Sequence, residues 1–193
     1  DSLYPGSIDP FIREATLRRY NQVMELVNDI DVEFVTFHLN YLEDIHGYYR
    51  GQWITYASKT FSEVKFDEIP VHVENTHEKD PDIFSSVLSR ISRRNVGMCL
   101  DIGHVIAFSP LQPEVWIVKL ASYIRELHLH ECKPGKDIHK PLGSELVDWE
   151  EIFYALSKAG VKLSRTYITL EPRNVEQLRS DLDYLSNTLL ESF

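Results

Sequence analysis

The stretch 124-IRELHLHE-131 decides how this chain is read. Successive side chains of a strand point to opposite faces, so Leu127 and Leu129 fall on one side and His128 and His130 on the other. Four more runs repeat the pattern: 33-EFVTFHL-39, 70-PVHVENT-76, 95-NVGMCLD-101 and 166-TYITLEP-172. Val35, Phe37 and Leu39 share an apolar face, as do Val71 and Val73, Met98 and Leu100, and Ile168 and Leu170. The opposite face carries Thr36 and His38, His72 and Glu74, Cys99 and Asp101, and Thr169 and Glu171. Ionisable groups therefore gather toward the C-terminal end of every strand.

Between these runs the periodicity predicts helices at about 9–30, 53–64, 81–93, 113–123, 148–159 and 174–191. Asp9-Pro10, Asp80-Pro81 and Asp148 supply start signals, and Gly160 follows a helix end. Strands alternating with helices imply βαβ units, an α/β class and a parallel sheet. An antiparallel sheet with one wet face would also alternate polar with apolar, but the intervening helices call for crossovers. Polar groups on a covered face need partners. A closed (β/α) barrel resolves the conflict, because helices cover the outside and the inner polar groups meet at the C-terminal mouth.

Composition narrows the function classes. The chain has 193 residues, 43% hydrophobic and 26% charged, which suits one compact domain, residues 1–193. A formal charge of −10 disfavours phosphate backbones and anionic membranes, so nucleic acid is an unlikely partner. Two cysteines, Cys99 and Cys132, suit a reducing cytoplasm. No apolar run approaches the ~20 residues of a membrane span. A homo-oligomer stays open.

The convergent set is His38, Glu74, Asp101, His104, His128, Asp137, His139 and Glu171. Imidazoles mixed with carboxylates suit Zn²⁺, Mn²⁺ or Fe²⁺, and carboxylates crowded into one mouth repel unless a cation compensates them. The bland alternative is a salt-bridged or water-filled barrel interior. In 101-DIGH-104, Gly103 is expected to permit a tight turn that folds His104 back to the mouth. In 137-DIH-139 the spacing puts both side chains on one side of an extended segment, although a solvated loop fits equally. His46 and His77 read as exposed, His72, one pleat below Glu74, as a hydrogen-bonded interior residue or a supporting partner rather than a ligand, and Cys132 as incidental to a loop. Trp53, Trp116 and Trp149 read as packing rather than a base-stacking platform. No Gly-x-Ser-x-Gly, P-loop or Gly-x-Gly-x-x-Gly is present.

Taken in order, VENT (73–76), CLDIGH (99–104), HLHECK (128–133), DIHKPLGSELVDWEEI (137–152) and TLEP (169–172) resemble the xylose isomerase-like barrel superfamily. That group contains sugar and sugar-phosphate isomerases and epimerases together with endonuclease IV. The resemblance implies a (β/α)8 TIM barrel. DSLYPGS then looks like the segment after the third strand, so the chain is expected to cover strands four to eight, with the earlier units belonging to the natural protein. In the isomerase and epimerase branch Glu74, Asp101, His128 and Glu171 would ligate a divalent metal (Mn, Zn, Mg or Co). Glu74 and Glu171 would also be the catalytic acid/base pair, with His104 and Lys133 touching the sugar or its phosphate. The endonuclease IV branch, with three zinc ions, would add His38, His104, Asp137 and His139. The acidic charge and PLGSELVDW favour the sugar branch, whose loop has the form PxGxGxxDW; Glu145 replaces its second glycine. The remaining alternative is a non-catalytic barrel remnant that binds metal or sugar.

Overall fold

The computed structural model describes residues 3–27, 29–65, 69–91 and 93–189, with positions 188 and 189 described by their backbone alone. Asp1 and Ser2 of DSLYPGS lie outside the described residues, as do position 28 of the predicted helix 9–30, position 92 of 81–93 and positions 190–191 of 174–191.

All five expected strands form: β1 Val35–His38, β2 Val71–Glu74, β3 Val96–Asp101, β4 Ile124–Leu129 and, after a hairpin of β5 Glu131–Lys133 and β6 Lys136–Lys140, β7 Tyr167–Leu170. The five pair in parallel in the order β1-β2-β3-β4-β7. The sheet curls into a half-barrel. Its curvature brings Phe34, just before β1, to 4.5 Å between ring centroids from Tyr167, which opens β7 at the opposite edge.

The apolar face packs as the alternation requires. Val71, Val73, Met98, Leu100, Leu127 and Leu129 have no solvent exposure, and full burial of such a side chain contributes roughly 1.5–3 kcal/mol. Ile168 and Leu170, on an edge strand, are half-buried. Trp53, Trp116 and Trp149 sit in this core with at most 1% exposure, which leaves no ring free to stack on a base.

The outer helices are α1 Pro10–Val27, α2 Glu43–His46, α3 Arg50–Glu63, α4 Asp82–Leu88, α5 Ile102–Phe108, α6 Pro113–Leu120, α7 Trp149–Lys158 and α8 Val175–Tyr184. α7 illustrates how sequence sets an element. Asp148 accepts the Glu151 N–H as its cap, and Trp149, Ile152, Phe153 and Leu156 form the buried stripe. Gly160 then takes φ 81° and ends the helix.

Three expectations are corrected. The DIGH segment is not a tight turn, because Asp101 caps α5 by accepting the His104 N–H at 2.6 Å. Gly103 matters for space: a Cβ there would overlap the His130 imidazole. HLHECKPGKDIHK is not an open loop but runs from β4 into the antiparallel β5–β6 hairpin, so Cys132 is buried within a strand. His46 is not exposed either. It packs against Tyr4, Tyr41 and Trp53, its Nδ1 accepts the Leu42 N–H, and burial lowers its pKa. His77 is exposed, stacked on Phe108. Among the described residues no helix is long and apolar enough to cross a membrane.

Candidate metal centre

At the C-terminal ends of the strands, three carboxylates converge on one imidazole nitrogen. His128 Nδ1 lies 3.4 Å from Glu74 Oε1, 3.3 Å from Glu171 Oε1 and 3.7 Å from Asp101 Oδ2. Those groups end β2, follow β7 and end β3 respectively, so the fold alone brings them together. The nitrogen is buried and makes no hydrogen bond. A buried polar atom without a partner is costly, and here it faces three anions.

Electrostatics match that geometry. Burial acts to raise the Glu74 carboxyl, yet the imidazoles of His104, His128 and His38 beside it outweigh that and hold Glu74 ionised, far below the usual range. Asp101 is likewise fully buried, and His128 and His130 keep it low. Burial disfavours the charged form of His128, but Asp101, Cys99 and Glu126 overcome it and push the imidazole far up. A proton thus does the compensating that a divalent cation would do in its place. The donors, one imidazole and three carboxylates around an unpartnered nitrogen, fit such an ion.

A second cluster lies on the hairpin side. His104, His130, Asp137 and His139 offer ligand atoms within 4.8 Å of one another. Carbonyl oxygens only accept, so His104 Nδ1 must donate to Asn75 O at 2.9 Å and His139 Nδ1 to Glu171 O at 3.1 Å. Each ring is left with Nε2 directed at Asp137, at 3.5 and 3.1 Å. His139 takes φ 44°, a left-handed backbone. The two side chains of Asp-Ile-His therefore meet through a kink in β6, not along an extended segment. That kink also lays the His139 ring flat on His130, 3.9 Å between centroids and 6° apart. Burial opposes charging of His104 and His130, but Glu74 and Asp101 raise the first to about 9, and Asp101 and Cys132 the second to about 10.

His38 reaches the first cluster from β1, 3.3 Å from Glu74 Oε2, an approach that raises its own pKa. Lys133 is exposed on the hairpin. Four further residues were not singled out as site residues from the sequence. Asn75 clamps Asp101 by exchanging two hydrogen bonds of 2.9 Å with its backbone. His130 donates from Nε2 to the Asp101 carboxylate at 3.1 Å. Glu131 gathers the backbone N–H groups of Gly143, Ser144 and Leu146. Glu126 lies beneath His128. Only His130 and Glu126 carried a signal, as members of the polar series 126, 128, 130.

The model of the xylose isomerase-like TIM barrel matches residues 2–188. The chain belongs to that family. No curated protein matches its sequence. Among solved structures, a D-tagatose 3-epimerase-like protein superposes with a TM-score of 0.81 at 22% identity, covering 97% of this chain and 73% of that one. A Thermus thermophilus protein soaked with zinc chloride gives 0.75 at 21% identity over 99% and 75%. An L-ribulose 3-epimerase gives 0.69 at 16% identity over 97% and 64%. Similarity at these identities speaks for the xylose isomerase-like fold. In the chain's PLGSELVDW loop Gly143 has φ 80°, and Glu145, at the position the resemblance gives to a second glycine, has φ 61°.

Proposed function

We propose that this protein is a divalent-metal-dependent isomerase or epimerase of a small sugar or sugar phosphate. The observation that carries the reading is the unpartnered His128 Nδ1 facing Glu74, Asp101 and Glu171. Those four residues would hold the ion, and the epimerase among the similar structures points to a sugar substrate. When bound, the metal supplies a Lewis acid that polarises a sugar carbonyl.

The chain's own residues supply the proton transfer. One of Glu74 and Glu171 removes the proton from the carbon beside the carbonyl, and the C–H electrons move into an enediolate. The other returns a proton, to the opposite face in an epimerisation. Glu74 starts deprotonated, as a base must, because the imidazoles beside it hold it ionised. Positioned groups of this kind typically speed proton transfer by ~10²–10⁴-fold. His104 and Lys133 would bind hydroxyl or phosphate oxygens.

The test combines elemental mass spectrometry of protein purified without chelators with a sugar panel assayed for deuterium uptake from D₂O. We expect one Mn, Zn or similar ion per chain, exchange of the proton beside the carbonyl, and loss of at least ~10²-fold in turnover for Glu171→Gln. Full turnover in that variant would end the assignment.

The second cluster favours one other reading, an endonuclease IV-like enzyme with three zinc ions that would recruit His38, His104, Asp137 and His139. Nearly three zincs per chain and nicking of an abasic duplex would put it first. The formal charge of −10 weighs against a DNA substrate.

A further inference from the structure

Beneath the cluster around His128 lies a second ring of side chains, and all of it closes on one carboxylate. Glu126 is 1% exposed. Its Oε1 accepts from His128 Nε2 at 3.0 Å and from Thr169 Oγ1 at 2.8 Å; its Oε2 accepts from Thr36 Oγ1 at 2.6 Å and from His72 Nδ1 at 2.9 Å. A carboxylate offers about four lone-pair sites, and all four are filled. Apart from His128, each partner stands two residues before a member of the upper ring: Thr36 before His38, His72 before Glu74 and Thr169 before Glu171, while Glu126 itself stands two before His128. Strand period makes this lower ring the floor of the candidate site. It spans β1 and β7, the two edges of the sheet, so one side chain on β4 ties both edges together.

We propose that Glu126 is the positioning residue of this site, fixing the His128 ring so that Nε2 carries the proton and Nδ1 is the nitrogen offered to a divalent cation. An imidazole that donates one N–H to a carboxylate has its other nitrogen selected as the ligand. Glu126 selects the nitrogen that faces Glu74, Asp101 and Glu171. Through Thr169 it also sets the strand from which Glu171 extends. The inference rests on the metal-dependent reading above and adds a residue that never touches the ion or the substrate.

Glu126→Gln tests it. The amide has nearly the same shape, but its NH₂ meets two of the four donors, and an imidazole can answer by moving its proton to Nδ1. Titration calorimetry with Mn²⁺ and with Zn²⁺ alone should give an affinity ~10–100-fold weaker than wild type, with far-UV circular dichroism unchanged. Wild-type affinity in the folded variant overturns the role of Glu126 and leaves the metal reading standing. No binding of either ion by the wild type sinks the metal reading, and this inference with it. ¹⁵N NMR of the His128 ring in the loaded wild type gives an answer that does not depend on the variant folding. Protonated Nε2 with metal on Nδ1 supports the proposal, and metal on Nε2 overturns it.

Discussion

Glu145 occupies the left-handed region at φ 61°, where a Cβ is crowded. What holds it there is the buried Glu131 carboxylate, which binds the N–H groups of Gly143, Ser144 and Leu146 and the Trp149 indole N–H. Glycine would relieve about 1–2 kcal/mol of backbone strain but lose about 0.5–1 kcal/mol through the freer unfolded chain. Glu145→Gly is therefore expected to gain up to ~1 kcal/mol in urea unfolding, and Glu145→Val to lose at least ~1 kcal/mol. Equal stability of the two variants would contradict this account. The identity of Glu145 was legible as a departure from a glycine. Its conformation was not, because the stabilising carboxylate comes from another element.

At the scale of elements, Glu78 joins two strand ends. Its carboxylate oxygens accept the Tyr41 N–H at 2.8 Å, beyond β1, and the Thr76 N–H at 2.7 Å, beyond β2. Complete burial outweighs those bonds and raises its pKa to about 7. The sign follows from proton uptake. Between the unfolded value of about 4.5 and about 7, the folded chain holds this proton and the unfolded chain has released it. Stability contributed by Glu78 is thus present below about pH 4.5 and is lost as pH rises to about 7, on the order of 3 kcal/mol in all. Guanidinium unfolding at pH 5 and pH 8 should show wild type losing most of that relative to Glu78→Gln, on the order of 2 kcal/mol. A difference that does not change with pH would disprove it. The five strands and six predicted helices were readable because each carries a repeating apolar face. α5 was missed because it follows β3 without a break, and the β5–β6 hairpin because Glu131–Lys133 and Lys136–Lys140 carry no such face, although Pro134-Gly135, with Gly135 at φ 75°, was a turn signal in plain view.

For the molecule as a whole, the candidate ligands come from three strands and the segment after a fourth, so a bound cation would cross-link most of the sheet. Ligand that binds only the folded chain stabilises it by ~2.7 kcal/mol at 100 times Kd, which for this size of domain raises Tm by roughly 5–10 °C. Scanning calorimetry with excess Mn²⁺ or Zn²⁺ against a chelator checks this, and Glu74→Gln should erase most of the shift. An unchanged Tm in wild type would argue that the carboxylates are held by imidazolium alone. Gly103→Ala should lower Tm with or without metal, because its Cβ displaces the His130 ring, and overpacking costs about 1–3 kcal/mol.

Strand alternation, crossover logic and five ordered motifs determined from sequence alone that this is an α/β chain of the xylose isomerase-like barrel type. They also put Glu74, Asp101, His128 and Glu171 at strand ends, since the two-residue period is a property of the backbone and needs no tertiary information. Tertiary structure decided which nitrogen of each histidine is free, that Glu126 anchors the floor of the site, that His46 is buried, and that Asp137 and His139 converge through a kink. These are consequences of contacts between residues up to 90 positions apart, as in the Thr36–Glu126 hydrogen bond. Period and composition fix the face of a side chain, whereas its partner depends on how strands stack in the curled sheet.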